Sequence, residues 1–233
     1  GLSAKTYAVA GIEKGVYQKK GRDWFGIYPL RGKILNVRNS VPATIAKNAV
    51  VTDLIQSLGV RHGVDYTDPK NFAELHYGKI MVMTDADVDG IHIEGLLMNL
   101  VHYLFPSLLE RKEPYIVSMK TPIVRVFRPR MSDLLFYDEK RFKAYALKQT
   151  KPFKKKYYKG LGSTKPEDVP DTFGLKMVEY TKDDASQNSM TKAFHKKSSD
   201  ARKDWLAHYN ENIGRSLDDV GETTEMTMSA FVD

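Results

Sequence analysis

Three aspartates, Asp85, Asp87 and Asp89, stand at alternate positions directly after the apolar run of residues 79–84. Three carboxylates this close in sequence repel one another, so they need either protons or a cation. The run "KIMVMT" is short, continuous and bounded by turn residues, which predicts a strand buried on both faces. Open α/β sheets place ligands at the carboxyl ends of such strands, and Mg²⁺ prefers oxygen ligands. The pattern therefore favours a magnesium site at the end of a strand.

The three aspartates match an EF-hand, a phosphotransferase motif or a simple helix cap less well. An EF-hand loop needs an acidic residue at its last position, where this chain has Leu96, and it needs a helix before the loop. A haloacid-dehalogenase-type phosphotransferase needs Thr or Val two residues after its second aspartate. The chain has Asp89 or Ile91 there, so this function is kept as a weaker alternative. A charged turn that caps the next helix explains one aspartate but not three.

Two glycine motifs come close to nucleotide-binding sites without completing them. In residues 26–33, five residues separate the glycines where a phosphate loop has four, and Ile34 stands where Ser or Thr would bind magnesium. The "GLG" of residues 160–162 lacks the third glycine of a dinucleotide fingerprint, because Lys165 occupies that place. The sequence therefore predicts no ATP or NAD site within this chain.

The composition is that of a globular protein, with 42% hydrophobic and 28% charged residues among 233. No run approaches the roughly 20 apolar residues of a membrane span, so we expect no membrane partner. The first residues show neither the basic nor the apolar region of a signal peptide. The absence of cysteine excludes disulfides and thiolate zinc sites, which fits an intracellular protein.

The net charge of +7 is not evenly spread along the chain. Residues 147–160, "LKQTKPFKKKYYKG", hold six lysines and no acid, with Tyr157 and Tyr158 interleaved. Such a stretch is either a solvated loop or a surface for an acidic polymer such as nucleic acid. The interleaved tyrosines favour the second interpretation.

Hydrophobic periodicity and turn residues predict the element order of an α/β unit, in which a strand, an acidic turn and a helix follow one another. The predicted elements are a helix over 3–11, strand and loop over 24–37, one amphipathic helix over 41–59, the strand at 79–84, a helix over 91–109, strands over 114–128, a strand and a short helix over 133–147, and a polar, mostly helical connector over 180–213. Residues 218–233 suggest no folded conclusion, which is typical of a piece of a longer protein.

Three blocks together resemble the metal-binding Toprim region of type IIA DNA topoisomerases: "MTDADVDGIHIEGLL", "YPLRGKILNVRN" and "KYYKGLGSTKPEDV". The opening "GLSAKTYAVAG" is similar to that family's E-G-D-S-A-K block, and "DDASQNSMTKAF…DARKDWL" is similar to the helical connector of the eukaryotic-type enzymes. The resemblance runs nearly end to end and is closer to eukaryotic topoisomerase II than to bacterial gyrase. It implies an α/β fold, namely a Rossmann-like parallel sheet flanked by helices, followed by a mixed extension and a helical connector.

The resemblance also implies a division of the chain into three segments. These are a Toprim core at 1–118, a C-terminal extension with the KGLG block at 119–182, and a helical connector at 183–233 that leads towards a winged-helix domain.

The function implied by the resemblance is that of an ATP-dependent enzyme that breaks a DNA duplex transiently, passes a second duplex through the break and reseals it. Mg²⁺, which Mn²⁺ or Ca²⁺ can replace, would lie next to the scissile phosphate, held by one Glu and three Asp. Asp85, Asp87 and Asp89 match the three aspartates, as catalytic and metal-binding residues. ATP would bind elsewhere in the full enzyme, which would act as a homodimer on double-stranded DNA.

The same resemblance implies a set of DNA-binding residues. They are Arg31, Lys33, Arg38, His92, Lys156, Lys159, Ser3 and Lys5. From the residues alone, a His at a helix start such as His92 is more often a cap or a packed residue than a ligand, and its acidic neighbours keep contact with a phosphate beside the metal as the alternative.

Two departures from the family pattern bear on the activity of this chain. The family's Glu would stand just before Gly1, and Leu2 replaces its next Asp, which suggests a viral relative of the eukaryotic enzymes. The tyrosine nucleophile of the family would follow residue 233. We therefore expect an incomplete active site, and the alternative for the isolated chain is a DNA- or protein-binding module without catalysis. The expected location is the nucleus for a cellular eukaryotic protein, and the host cytoplasm, nucleus or virion for a viral one.

Overall fold

The computed structural model describes residues 2–208 and 221–232, with side chains from residue 4 onward. Seven strands lie in these ranges: β1 (Ile80–Met83), β2 (Ile116–Lys120), β3 (Val124–Val126), β4 (Leu134–Phe136), β5 (Lys155–Tyr157), β6 (Lys176–Thr181) and β7 (Thr223–Thr227). The helices are α1 (Leu2–Lys14), α2 (Pro42–Lys47), α3 (Ala49–Leu58), α4 (Pro69–Ala73), α5 (Val88–Leu104), α6 (Glu139–Leu147), α7 (Ser186–Phe194), α8 (Ser199–Ala207) and α9 (Met228–Val232).

The larger sheet has the order β1-β2-β6-β7, and helices cover both of its faces. β1 and β2 are parallel, β2 and β6 are antiparallel, and β6 and β7 are parallel. Neighbouring residues on β2 enter different cores, because side chains of a strand alternate between faces. Ile116 packs in the core formed with α5, whereas Val117 packs with α1. The α/β fold is confirmed, with a mixed sheet where a parallel one was expected.

A smaller antiparallel sheet, β4-β3-β5, follows β2 in the chain. Its apolar side chains form a separate core around Val124, Val126 and Phe142 of α6. The strands and the short helix predicted between residues 114 and 147 are confirmed.

Burial of β1 on both faces was predicted wrongly. Of its four residues only Val82 is buried, since β1 lies at the edge of the sheet and pairs with β2 alone among the described strands. The predicted loop-and-strand segment 24–37 contains no strand; its regular structure is a 3₁₀ turn that starts at Val37.

Two helix boundaries differ from the sequence prediction for local reasons. α1 runs through Gly11 and ends at Lys14, before Gly15 with φ = +90°; Gly11 leaves room for the ring of Phe173, with which an added Cβ would clash. The single helix predicted over 41–59 is divided at Asn48, whose side chain accepts a hydrogen bond from the Val51 amide (3.1 Å) and caps α3. The predicted stop at Gly59 is confirmed, with φ = +73°.

The C-terminal segment contributes to the main sheet and its core, in contrast to the connector expected from its polarity. β7 extends the sheet beside β6, and Met190 of α7 and Met228 of α9 are fully buried in the main core. The predicted segment 183–233 is therefore not wholly helical. The sheet takes strands from all three predicted segments, whose boundaries stay a prediction.

Within the described residues, no helix combines the length and the apolar character needed to cross a membrane.

Candidate metal and DNA site

Asp85 and Asp87 line one small cleft at the carboxyl end of β1. The rest of the lining comes from the residues that follow β2, which runs parallel to β1, and from those that follow β5. The other lining residues are Ala86, Thr121, Pro122, Ile123, Tyr158, Lys159, Gly160 and Thr164. The cleft thus brings two carboxylates and one lysine together from segments distant in sequence.

Asp85 is held in place by the backbone of the KGLG block. Its Oδ1 accepts a hydrogen bond of 2.7 Å from the Leu161 amide. The chain approaches this closely because residue 160 is glycine with φ = +142°, a conformation that is essentially restricted to glycine. The block therefore fixes the first carboxylate of the cleft.

Asp87 is the N-cap of α5, which begins at Val88 and not at Ile91 as predicted. Its Oδ1 accepts a hydrogen bond of 2.7 Å from the Gly90 amide. The positive end of the helix dipole stabilises a carboxylate at this position. A capping role therefore accounts for the geometry of Asp87, which still lines the cleft.

Asp89 points to a different partner. It lies in the first turn of α5, and its Oδ1 is 2.9 Å from Nζ of Lys33, an exposed ion pair. The hydrogen bond and the charge of Lys33 lower the pKa of Asp89 below its usual range. The three aspartates thus have three different partners, and within the described residues no three acidic, His or Cys side chains are grouped to hold a metal.

The donor set of the cleft nevertheless suits magnesium. Mg²⁺ in proteins is commonly bound through one or two carboxylates together with waters and substrate phosphates. Asp85 and Asp87 supply two carboxylates in one cleft, whereas Asp89 does not line it. The sequence predicted that all three aspartates would meet at one site, and the structure brings only Asp85 and Asp87 together.

The predicted DNA-binding residues lie in different surroundings. Lys159 is exposed and lines the cleft, and Arg31 and His92 are exposed. Lys33 is engaged with Asp89. Lys5 is exposed on α1, and the side chain of Ser3 lies outside the described residues.

Lys156 has an intramolecular partner instead of a free ammonium group. It forms an ion pair with the mostly buried Asp168, which raises the pKa of Lys156. On β5, Lys156 therefore stabilises the packing of the small sheet against residues 166–168. Sequence spacing showed the basic character of β5 but not this partner.

Arg38 is turned into the fold. Its guanidinium donates to Oδ1 of Asn99 (2.8 Å), to Oγ1 of Thr191 (3.3 Å) and to Nδ1 of His102 (3.0 Å). These contacts tie the 3₁₀ turn at Val37 to α5 and α7. Each nitrogen of Arg38 thus has a partner within the chain, and its contact with DNA stays a prediction.

His102 gives this network a pH dependence. Burial, with the charges of Arg38 and Lys182, lowers its pKa from 6.5 to about 4, against the opposing effect of Glu110. Below pH 6.5 the unfolded chain takes up a proton that the folded chain does not, so stability falls as pH drops. From pH 7 to pH 5 we expect a loss of about 2 kcal/mol from this group, measured by urea unfolding.

His102→Gln cannot titrate and should lose this part of the pH dependence, whereas His62→Gln, at an exposed position, should keep it. An unchanged slope in His102→Gln would contradict the assignment.

Sequence reasoning missed a buried ionic group between α5, β2 and β6. Glu94 of α5 is fully buried and accepts hydrogen bonds from Nζ of Lys120 (2.7 Å) and from the hydroxyl of Tyr180 (2.5 Å). Burial and the Glu94 carboxylate raise the pKa of Tyr180, so its hydroxyl stays protonated and donates. The signal in the sequence was an acidic residue directly before the apolar run "GLLMNL" of α5.

Comparison with known proteins identifies two matching domains in the chain. Residues 7–119 match the Toprim domain, and residues 119–233 match the C-terminal associated domain of TOPRIM. DNA topoisomerase 2 of Invertebrate iridescent virus 6 is 44% identical over 249 aligned positions, covering 100% of this chain. The chain belongs to the Toprim region of type II DNA topoisomerases. Human DNA topoisomerase 2-beta is 39% identical over 221 aligned positions, covering 91% of the chain.

The solved structure of a Toprim relative has the same fold. The Plasmodium falciparum topoisomerase II DNA-binding, cleavage and re-ligation domain matches with a TM-score of 0.85 and 29% identity, over 100% of this chain and 31% of that one. The chain spans 22% of the length of the viral relative and 13% of the human one. It therefore corresponds to one part of these longer enzymes.

Proposed function

We propose that this Toprim region is the magnesium-binding part of the DNA cleavage and religation core of an ATP-dependent type II DNA topoisomerase. The observation that supports this most directly is the cleft in which Asp85, Asp87 and Lys159 meet. Two comparisons support the same function. Relatives of the chain are named DNA topoisomerase 2, and the matching solved structure is described as a DNA-binding, cleavage and re-ligation domain.

The residues of the chain would have separate roles at such a site. Asp85 and Asp87 would hold the metal, and Lys159 would bind a backbone phosphate by a charge-assisted contact. When bound, Mg²⁺ would neutralise charge at the phosphate and stabilise the attacking or leaving oxygen. The Leu161 amide keeps Asp85 oriented towards the cleft.

The rest of the site would come from the parts of the enzyme outside this chain. A glutamate upstream, a tyrosine in a winged-helix domain downstream and an ATPase domain would complete it, in a homodimer. A binding module without catalysis is the second candidate for the isolated chain. Its specific support is that Asp89 pairs with Lys33 and does not join the other two carboxylates.

The proposal is tested by removing charge from the cleft without changing its shape. In the complete enzyme, we expect Asp85→Asn and Asp87→Asn to reduce Mg²⁺-dependent DNA cleavage by about 100-fold, because a metal-binding carboxylate is lost. An asparagine can still accept from the Leu161 amide or cap α5, so folding should be retained. Cleavage is measured on supercoiled plasmid, and DNA binding on a labelled duplex.

Asp200→Asn is the matched control, since Asp200 is exposed on α8. It should cleave as the parent does. Parent-like cleavage by both cleft variants would contradict the proposed function, and equal loss of DNA binding would favour a binding role.

A further inference from the structure

One stretch carries a net charge equal to that of the whole chain. Residues 138–160 contain nine basic and two acidic residues, a net +7, which equals the net charge of all 233 residues. The charges of the remaining residues therefore balance. A concentration of this kind creates a local positive potential that attracts polyanions.

Four lysines of this stretch form what we call the basic face: Lys148, Lys151, Lys154 and Lys155. The first three lie between the end of α6 and the start of β5, and the fourth begins β5 at the edge of the small sheet. All four residues are exposed. Among the described residues, none of the four forms an ion pair, so their charges are not neutralised within the fold.

Aromatic rings hold part of this face in position. Nζ of Lys155 lies over the rings of Phe142, Phe153 and Tyr157, at 5.4, 5.6 and 5.4 Å from their centroids. Nζ of Lys154 lies 4.9 Å from the centroid of Phe127. Cation–π contacts of this type orient an ammonium group without removing its charge. The basic face therefore loses less side-chain entropy on binding an anion than free lysines would.

The basic face is separate from the cleft. Successive side chains of β5 point to opposite faces of the strand, so Lys155 and Tyr157 are exposed while Lys156 between them pairs with Asp168. The cleft begins only after the strand, with Tyr158 and Lys159, and none of the four lysines lines it.

We propose that the basic face binds the phosphate backbone of duplex DNA at a second surface, outside the cleft. The ligand class follows from four exposed, un-neutralised lysines within residues 148–155, a density of positive charge that suits a repeating line of phosphates and reads no bases. The choice of DNA over another polyanion rests on the proposed function, whereas the surface itself does not. Bound in this way, DNA would contact the protein whether or not the cleft holds a scissile phosphate.

The test is a binding measurement that needs no magnesium, so its failure is distinct from failure of the cleavage proposal. A variant with Lys148, Lys151, Lys154 and Lys155 all changed to Gln is compared with the parent chain on a labelled duplex by fluorescence anisotropy, at several salt concentrations. We expect affinity to fall about tenfold or more at moderate salt. The magnitude of the slope of log affinity against log salt should decrease by about 3 to 4, because each lost phosphate contact removes about 0.9.

The matched control removes the same charge elsewhere. Lys20, Lys47, Lys70 and Lys112, all exposed outside the stretch, are changed to Gln together. This variant should lose less than threefold in affinity and keep most of the salt slope. Equal losses in the two variants would overturn the proposal, because net charge alone would then explain binding.

Two further outcomes count against the proposal. Parent-like DNA affinity in the basic-face variant would overturn it outright. Binding of phosphatidylserine vesicles that is lost in this variant while DNA binding is retained would assign the face to an anionic membrane surface instead. The proposal is supported if the basic-face variant loses DNA binding and the control variant does not. It is supported equally if Asp85→Asn leaves that binding unchanged.

Discussion

Replacing Lys120 by Met is expected to destabilise the folded chain by about 3 to 5 kcal/mol, the usual cost of leaving one buried charge without its partner. The Glu94 carboxylate is fully buried and its one cationic partner among the described residues is Lys120, at 2.7 Å. Met has a similar length, so the change removes charge more than volume. After it, the hydroxyl of Tyr180 is the remaining donor to the carboxylate in this part of the chain.

The measurement is urea unfolding of the chain, followed by circular dichroism. Lys182→Met serves as the control, because Lys182 pairs with Glu110 in a partly exposed bridge at the same distance of 2.7 Å. Such bridges contribute about 0 to 1 kcal/mol, so the control should be nearly as stable as the parent. Similar losses in the two variants would show that burial of Glu94 has no special cost.

A double variant separates the missing partner from the missing packing. Changing Glu94 to Leu together with Lys120→Met removes both charges, and an apolar pair commonly replaces a buried ion pair with little loss. We expect this double variant to recover most of the stability lost by Lys120→Met alone. If it were as unstable as the single variant, the cost would lie in packing and not in an unpaired carboxylate.

The fold class could be predicted from the sequence because it depends on local patterns. The apolar run before Asp85 forms the strand, and the following apolar segment forms α5. The edge position of β1 could not be predicted, because burial depends on which strands pair. β7 was missed for the same reason: its residues 223–227 are polar, and their pairing with β6 is a contact between distant segments.

The candidate site was predictable in its residue types but not in its partners. The sequence placed three aspartates after a strand, but local geometry assigns them to different roles. The helix starts early enough that Asp87 becomes its cap, and Asp89 then faces Lys33. Arg38 and Lys156 were assigned to DNA by the resemblance of short blocks, yet Asn99 and Asp168 hold them. Charge and spacing show that a residue is basic, but only the fold shows which acid or acceptor it meets.

Gly160→Ala is expected to destabilise the chain by about 3 kcal/mol, because it adds a Cβ at a glycine-only conformation and against Asp85. An added Cβ would lie 2.8 Å from Oδ1 of Asp85 and 3.0 Å from its Cγ, so the carboxylate must move. That movement breaks the hydrogen bond from the Leu161 amide, which orients the carboxylate in the cleft. In the complete enzyme we therefore also expect cleavage to fall towards the level of Asp85→Asn. Stability is measured by urea unfolding and cleavage on supercoiled plasmid.

Gly63→Ala isolates the effect of the backbone from the effect on the carboxylate. Gly63 has φ = +75° with nothing within 4 Å of the added Cβ, so its substitution should cost about 1 kcal/mol and leave cleavage unchanged. An Asp85→Ala background removes the atoms that the new Cβ meets, so Gly160→Ala should cost less there than in the parent. If its cost were the same in both backgrounds, backbone strain alone would explain the loss, and the KGLG block would not act on the cleft through Asp85.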